Sequence, residues 1–157
     1  MRRRTKAREL AVQYLYQLDL RGDEILDGVR EFVADETDDE QVREFAVRLI
    51  LGTRKVQAET DACLRDVARN WDLGRMATID RNILRMAVFE LLHCPDIPPK
   101  VTINEAIEIG KKFSTANSGA FINGILDRVR LDRLGRDGAA GGPGAPSIER
   151  STESVDS

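Results

Sequence analysis

Long apolar runs are missing from this chain. No stretch approaches the roughly 20 consecutive apolar residues that a bilayer-spanning helix needs. The opening residues, MRRRTKAR, have none of the apolar core of a secretory signal. Both absences read as a cytoplasmic protein with no membrane partner. Cysteine is scarce, two in 157 residues and without a CxxC spacing, so Cys63 and Cys94 read as buried free thiols rather than a disulfide. Histidine is scarcer: His93 is the only one. Its neighbour Cys94 points to another helical face, so neither a zinc site nor a Cys-His or Ser-His-Asp unit assembles from these residues. No Gly-rich phosphate loop stands between a strand and a helix. The residues therefore predict no metal, no cofactor and no catalytic group, and point away from an enzyme.

Charge, by contrast, is abundant at 32% of residues, and its placement is uneven. The first eight residues hold five cations, Arg2, Arg3, Arg4, Lys6 and Arg8, and no acid. The formal net charge is −3, so the chain without those five carries −8. A general positive coat is excluded; any polyanion must bind a local patch, with repulsion elsewhere limiting where it lies. Cations at a helix start oppose the macrodipole, which favours acids there. Such a breach of a local rule asks for compensation, and nucleic acid is the simplest compensating polyanion. The plainer alternative is a frayed, solubilising terminus.

Periodicity is helical almost throughout, which predicts an all-α fold of about seven helices in one domain or two small subdomains. Ala7, Ala11, Tyr14, Leu15 and Leu18 form one inward stripe, ended by Gly22. A short helix places Ile25, Leu26, Val29, Phe32 and Val33 on one face. Thr37 with Glu40, or Asp38 with Gln41, can cap the third helix, which buries Val42, Phe45, Ala46, Leu49 and Val56 and breaks near Lys55 to Ala58. The fourth presents Cys63, Leu64 and Val67, and Trp71 is expected to pack where the two halves meet. The fifth, about Ile79 to His93, is apolar nearly all round, so it is central or buried by a partner; a homodimer could use that face. Pro95, Pro98 and Pro99 force an extended connection. Thr102 with Glu105 reads as the capping box of helix six, and a polar turn, Ser114 to Gly119, leads into helix seven. Gly124 there reads as a close-packing point. Residues 1–134 form the helical domain, and 135–157, rich in Gly, Ala, Pro and Ser, read as a flexible, disordered tail.

Single-stranded RNA needs a stacking platform, donors and cations. The turn before helix seven supplies Asn117, Ser118 and an open helix start that attracts phosphate. Phe121 either stacks on a base or joins the core beside Phe113. Lys111, Lys112 and Arg128 could extend a basic strip, or simply be solvated surface.

The segments RRRTKARELAVQYLYQLDL, IDRNILRMAVFELLHCPDIPPKVTINEAIEIGKKFST and FINGILDRV, in that order, resemble the NusB family of transcription antitermination factors over about Arg4 to Val129. The resemblance implies two packed three-helix bundles. It implies binding of the boxA element of ribosomal RNA leaders, a complex with the ribosomal small-subunit protein NusE, and assembly of the antitermination complex on RNA polymerase. It assigns phosphates to Arg4, Lys6 and Arg8, with Arg2 and Arg3 in the same cluster, a base to Phe121, and polar RNA contacts to Asn117 and Ser118. The NusE surface would come from the fourth to sixth helices, with Asp80 and Glu90 as its candidate residues. Two positions depart from the family pattern: Ala120 stands where Lys is frequent, and Asn117 where an acid is frequent. Five phosphate contacts on one strand would give a slope of about −3.5 in log affinity against log salt. Two other functions compete: the helical RNA-binding domain of a ribosomal-RNA cytosine methyltransferase, which needs a further α/β cofactor domain, and a helical scaffold that binds only proteins.

Overall fold

A computed structural model describes residues 2–68 and 73–135; Trp71 and the tail from 136 onward lie outside the described residues. Seven α-helices and no strand are found among them: α1 (Arg3–Arg21), α2 (Val29–Glu36), α3 (Glu40–Lys55), α4 (Gln57–Val67), α5 (Thr78–His93), α6 (Pro99–Phe113) and α7 (Ser118–Val129). No described helix is long and apolar enough to cross a membrane.

Local chemistry sets the boundaries. Gly22 ends α1 at φ 84°, a left-handed conformation that favours glycine, and its N–H returns to Leu18 O. Ile25 and Leu26, expected on a helix, lie instead in a 3-10 turn, Asp23–Gly28, before α2 begins. The Tyr14 hydroxyl donates to Ile25 O and holds that turn against α1. Asp39 caps α3 by accepting from the N–H groups of Gln41 at 3.0 Å and Val42 at 3.4 Å, one residue later than the expected Asp38. The expected break between α3 and α4 falls at Val56.

Helix α6 corrects one expectation. Pro98 is extended and Pro99 opens the helix, where the fixed φ and missing N–H of proline fit the first turn. Thr102 and Glu105 are thus inside α6 and form no capping box; their side chains turn inward toward charged partners described below.

Helices α1, α2 and α3 pack as one bundle, and α5, α6 and α7 as a second with α4 laid across α5 and α7. Helix α5 touches α1, α3, α4, α6 and α7, so its apolar girth is consumed inside the chain, including the face on which homodimerisation is expected. Gly52 makes the approach of α3 possible, because a Cβ there would sit inside van der Waals contact of the Phe89 ring. Gly110 does the same for α6 against Ile122 of α7. Gly124 is not a close-packing point: a Cβ there would meet nothing within 4 Å. Cys63 and Cys94 are free and buried, and burial pushes both thiols up.

Two ionic clusters cross the core. In the first, Asp19 of α1 accepts from Arg81 (2.8 Å) and Asn82 (2.9 Å) of α5 while Arg85 grips Asp61 of α4 at 2.7 and 3.0 Å. In the second, Arg8 of α1 donates to both Glu90 oxygens of α5 (2.8 and 2.9 Å) and to Glu105 of α6 (3.2 Å). Thr102 also donates to Glu90, at 2.7 Å. Buried pairs of this kind are costly to desolvate, and breaking one by removing a single partner is worse. They therefore fix how three helices meet.

Candidate nucleic-acid interface

The start of α1 has no acid in its first turn and no side-chain cap. The fold nevertheless supplies part of the compensation that the local sequence lacks. Glu105 takes Arg2 at 3.2 Å and the Thr5 hydroxyl at 2.7 Å, and Asp39, the cap of α3, takes Arg3 at 2.7 Å. That ion pair, together with the Val42 and Gln41 N–H bonds, outweighs desolvation and holds the Asp39 carboxyl below the usual range. Arg2 and Arg3 stay exposed, with 84% and 63% of their side chains in solvent. A guanidinium this exposed is only weakly held by its carboxylate, so either one can exchange it for another anion. Arg4 is exposed and lies 4.3 Å over the Phe45 ring. Lys6 is half-buried and forms no ion pair with a described residue.

Arg8 is placed otherwise. It is 2% exposed, with its guanidinium enclosed by Glu90 and Glu105. Burial alone would lower its pKa, but those carboxylates outweigh burial and raise it. The i to i+4 step from Arg4 explains the difference: residue 8 repeats the face of residue 4 one turn deeper, where α5 and α6 close over α1. Arg8 is a structural cation, not a surface one.

The second predicted segment comes close to the first through α6. Arg2 pairs with Glu105, and Glu9 pairs with Lys112 at 3.1 Å. Seven residues separate the partners on each helix, so the two pairs tie α1 to α6 about two turns apart and in the same order along both helices. The neighbouring Lys111 lies against α7, with its Cε 3.2 Å from where a Gly119 Cβ would stand. Helix α6 thus meets the cationic start of α1 near its middle, through Glu105, and the start of α7 near its C-terminal end, through Lys111. This arrangement was hidden in sequence; the matching spacings of Arg2–Glu9 and Glu105–Lys112 are its only signal.

At the start of α7, Asn117 is exposed in the N-cap position and makes no side-chain cap hydrogen bond. Phe121 is half-buried, packed against the core on one side. Ser118 is 3% exposed: its Oγ lies 3.2 Å from Asp80 Oδ2 and 3.0 Å from Ser114 Oγ, and accepts the Thr115 N–H at 3.3 Å. Ser118 therefore holds the turn rather than facing solvent. Arg128 donates to Val67 O at the end of α4, at 2.9 Å.

Neither residue expected on the protein-partner surface is at the surface. Glu90 is 1% exposed beneath Arg8 and Thr102, and Asp80 is 9% exposed against Ser118. A charged residue on an apolar helix reads as surface by default, but here both acids are internal partners of buried donors. Among the described residues no three His, Cys, Asp or Glu side chains converge as a metal site.

Fold and surface together define the class: an all-α module with a cluster of exposed cations at the start of its first helix. Comparison with known proteins makes the assignment specific. The NusB family profile matches residues 5–130. The transcription antitermination protein NusB of Desulforapulum autotrophicum is 49% identical over 131 residues, 82% of this chain and 91% of that protein. A NusB structure from T. maritima matches with a TM-score of 0.76 at 37% identity, covering 88% of this chain and 96% of that one. A NusB crystallised with NusE and double-stranded RNA matches at 0.76 and 26%, covering 84% and 98%. The chain belongs to the NusB family, and is a transcription antitermination factor rather than an enzyme.

Proposed function

We propose that this protein works in the cytoplasm by binding the boxA element of ribosomal RNA leader transcripts together with NusE, and so assembles the antitermination complex on RNA polymerase. Residues 1–134 are the binding unit. Arg2, Arg3, Arg4 and Lys6 hold phosphates, Asn117 makes a polar contact and Phe121 meets a base. Arg8 and Ser118 act beneath them: Arg8 anchors the helix that carries the cations, and Ser118 shapes the turn that carries Asn117. NusE docks on the outer surface of α4 to α6, without Asp80 or Glu90. The observation that supports the reading is the pairing of α6 with both segments, with the cationic start of α1 through Arg2–Glu105 and with the start of α7 through Lys111. A related NusB was crystallised with both NusE and RNA, which supports the choice of partners.

The test is a titration of boxA RNA against a scrambled RNA of equal length, with and without NusE, at several salt concentrations. With Arg8 withdrawn from the surface, four phosphate contacts remain, and the expected slope of log affinity against log salt is about −2.8. Equal affinity for the two RNAs refutes the reading.

A further inference from the structure

Opposite the side of α1 that faces α6, a groove of about 380 Å³ opens between the start of α1 and α3, lined by Arg3, Arg4, Gln41, Glu44, Phe45 and Arg48. We propose that this groove is a second RNA subsite, which takes a nucleotide flanking the boxA element; the inference rests on the RNA-binding reading above.

Three features of the groove carry it. Its charge is right: three arginines line it against one glutamate, in a protein whose net charge is −3. Its donors are preset. The guanidinium carbons of Arg4 and Arg48 lie 4.3 and 5.7 Å from the centroid of the same Phe45 ring. Phe45 is itself core, 6% exposed, so that floor is fixed. A guanidinium already laid on an aromatic face has less freedom left to lose when it binds a phosphate. Arg4 forms no ion pair with a described residue. Arg48 is held by Asp96 at 2.8 and 3.2 Å, in a half-exposed pair that can open.

The third feature is continuity. Arg3 and Arg4 belong both to the proposed phosphate cluster on α1 and to the groove wall, so a strand leaving that cluster on the α3 side enters the groove without crossing an uncharged gap. Glu44, the one acid in the lining, repels a phosphate from its side of the groove and leaves the arginine side as the path.

Fluorescence anisotropy with the boxA RNA, and with the same RNA extended by a few nucleotides at one end or the other, tests the subsite. The wild-type protein should bind one extended RNA severalfold tighter than the core element. Arg48→Gln should lose that gain and keep its affinity for the core element. Its salt slope on the extended RNA should flatten by about 0.7 for each phosphate that Arg48 no longer neutralises. Gln41→Glu is the second variant. An acid in the first turn of α3 suits that helix end, so the fold should be at least as stable while extended RNA binds more weakly.

An extension that adds no affinity to the wild-type protein overturns the proposal, as does an Arg48→Gln variant that keeps the full gain. If the gain is absent and Arg48→Gln instead weakens NusE binding, the groove belongs to a protein and the proposal is equally lost. Loss of discrimination between boxA and scrambled RNA would strike the underlying reading, whereas intact discrimination without the gain strikes only the subsite.

Discussion

Arg8 separates two accounts of the N-terminal cations. Read as a phosphate contact, it should be dispensable for folding. The structure buries its guanidinium against both oxygens of Glu90 and one of Glu105. Arg8→Ala leaves Glu90, only 1% exposed, with the Thr102 hydroxyl as its remaining side-chain donor. Removing one partner of a buried pair typically costs about 3–5 kcal/mol. For a domain of this size each kcal/mol corresponds to about 3–5 °C of melting temperature, so the variant should melt about 10–20 °C lower. Arg8→Met combined with Glu90→Leu should recover part of the loss, because no buried charge is left alone. Arg4→Ala is the contrast, since an exposed substitution should change stability by no more than about 0.5 kcal/mol while weakening RNA binding. Thermal and urea unfolding beside RNA anisotropy decide the matter. An Arg8→Ala protein that melts with the wild type but fails to bind RNA would refute the burial argument.

The acid limb of stability should carry the signature of Asp19. Burial alone would raise its pKa, but hydrogen bonds from Arg81 and Asn82 and the charges of Arg85 and Arg81 hold it low. A carboxyl depressed in the folded state stabilises above its unfolded value of about 3.9, and that stability is lost as pH falls through the folded value. Asp19→Asn should therefore lower stability at neutral pH and flatten the melting curve below about pH 4; an unchanged acid limb rules Asp19 out as its source. Phe121→Ala should weaken boxA binding at a folding cost below the roughly 3–5 kcal/mol of a fully buried phenylalanine, measured by urea unfolding; a full-sized loss of stability would return the ring to the core. The two helical glycines should respond with opposite signs. Gly52→Ala drives a methyl into Phe89 and should cost about 1–3 kcal/mol, whereas Gly124→Ala meets open space and should gain about 0.5–1 kcal/mol. Matching shifts in the two would show that the helix packing is misassigned.

The helices were legible because their inward stripes repeat at the helical period, and Val42, Phe45, Ala46 and Leu49 are buried where that period puts them. Starts and stops were legible where one residue type decides, as at Gly22. What failed were assignments of single polar residues and one glycine that needed the third dimension. Thr102 and Glu105 have the spacing of a capping box, yet Pro99 is the stronger start signal and displaces the helix upstream. Gly124 and Gly52 are alike in sequence, and only the position of α5 separates the tolerated one from the obligatory one. Asp80 and Glu90 read as surface because carboxylates are rarely buried; their partners Ser118 and Arg8 lie 38 and 82 residues away in the chain. Family resemblance pointed to the segments proposed to carry the interface, but could not sort surface from support within them.

That sorting has a physical rule here. Successive residues on a helix are turned by about 100°, so a run of cations cannot share one environment. Arg2 reaches Glu105 of α6 from solvent, while Arg8, one turn below Arg4 on the same face, reaches that acid from inside. Arg3 and Arg4 turn toward α3 and meet Asp39 and Phe45. A single cluster in sequence thus becomes a buried anchor, an exchangeable pair on each flank and a stacked guanidinium. The anchor is what makes the others useful. Cations at a helix start weaken that turn, and α1 has no cap to oppose fraying. Tying Arg8 to α5 and α6 one turn further in holds the start of the helix rigid, so the exposed cations meet a ligand from fixed positions rather than from a frayed end. Loosening the anchor while keeping the fold should therefore weaken RNA binding even though Arg8 is buried.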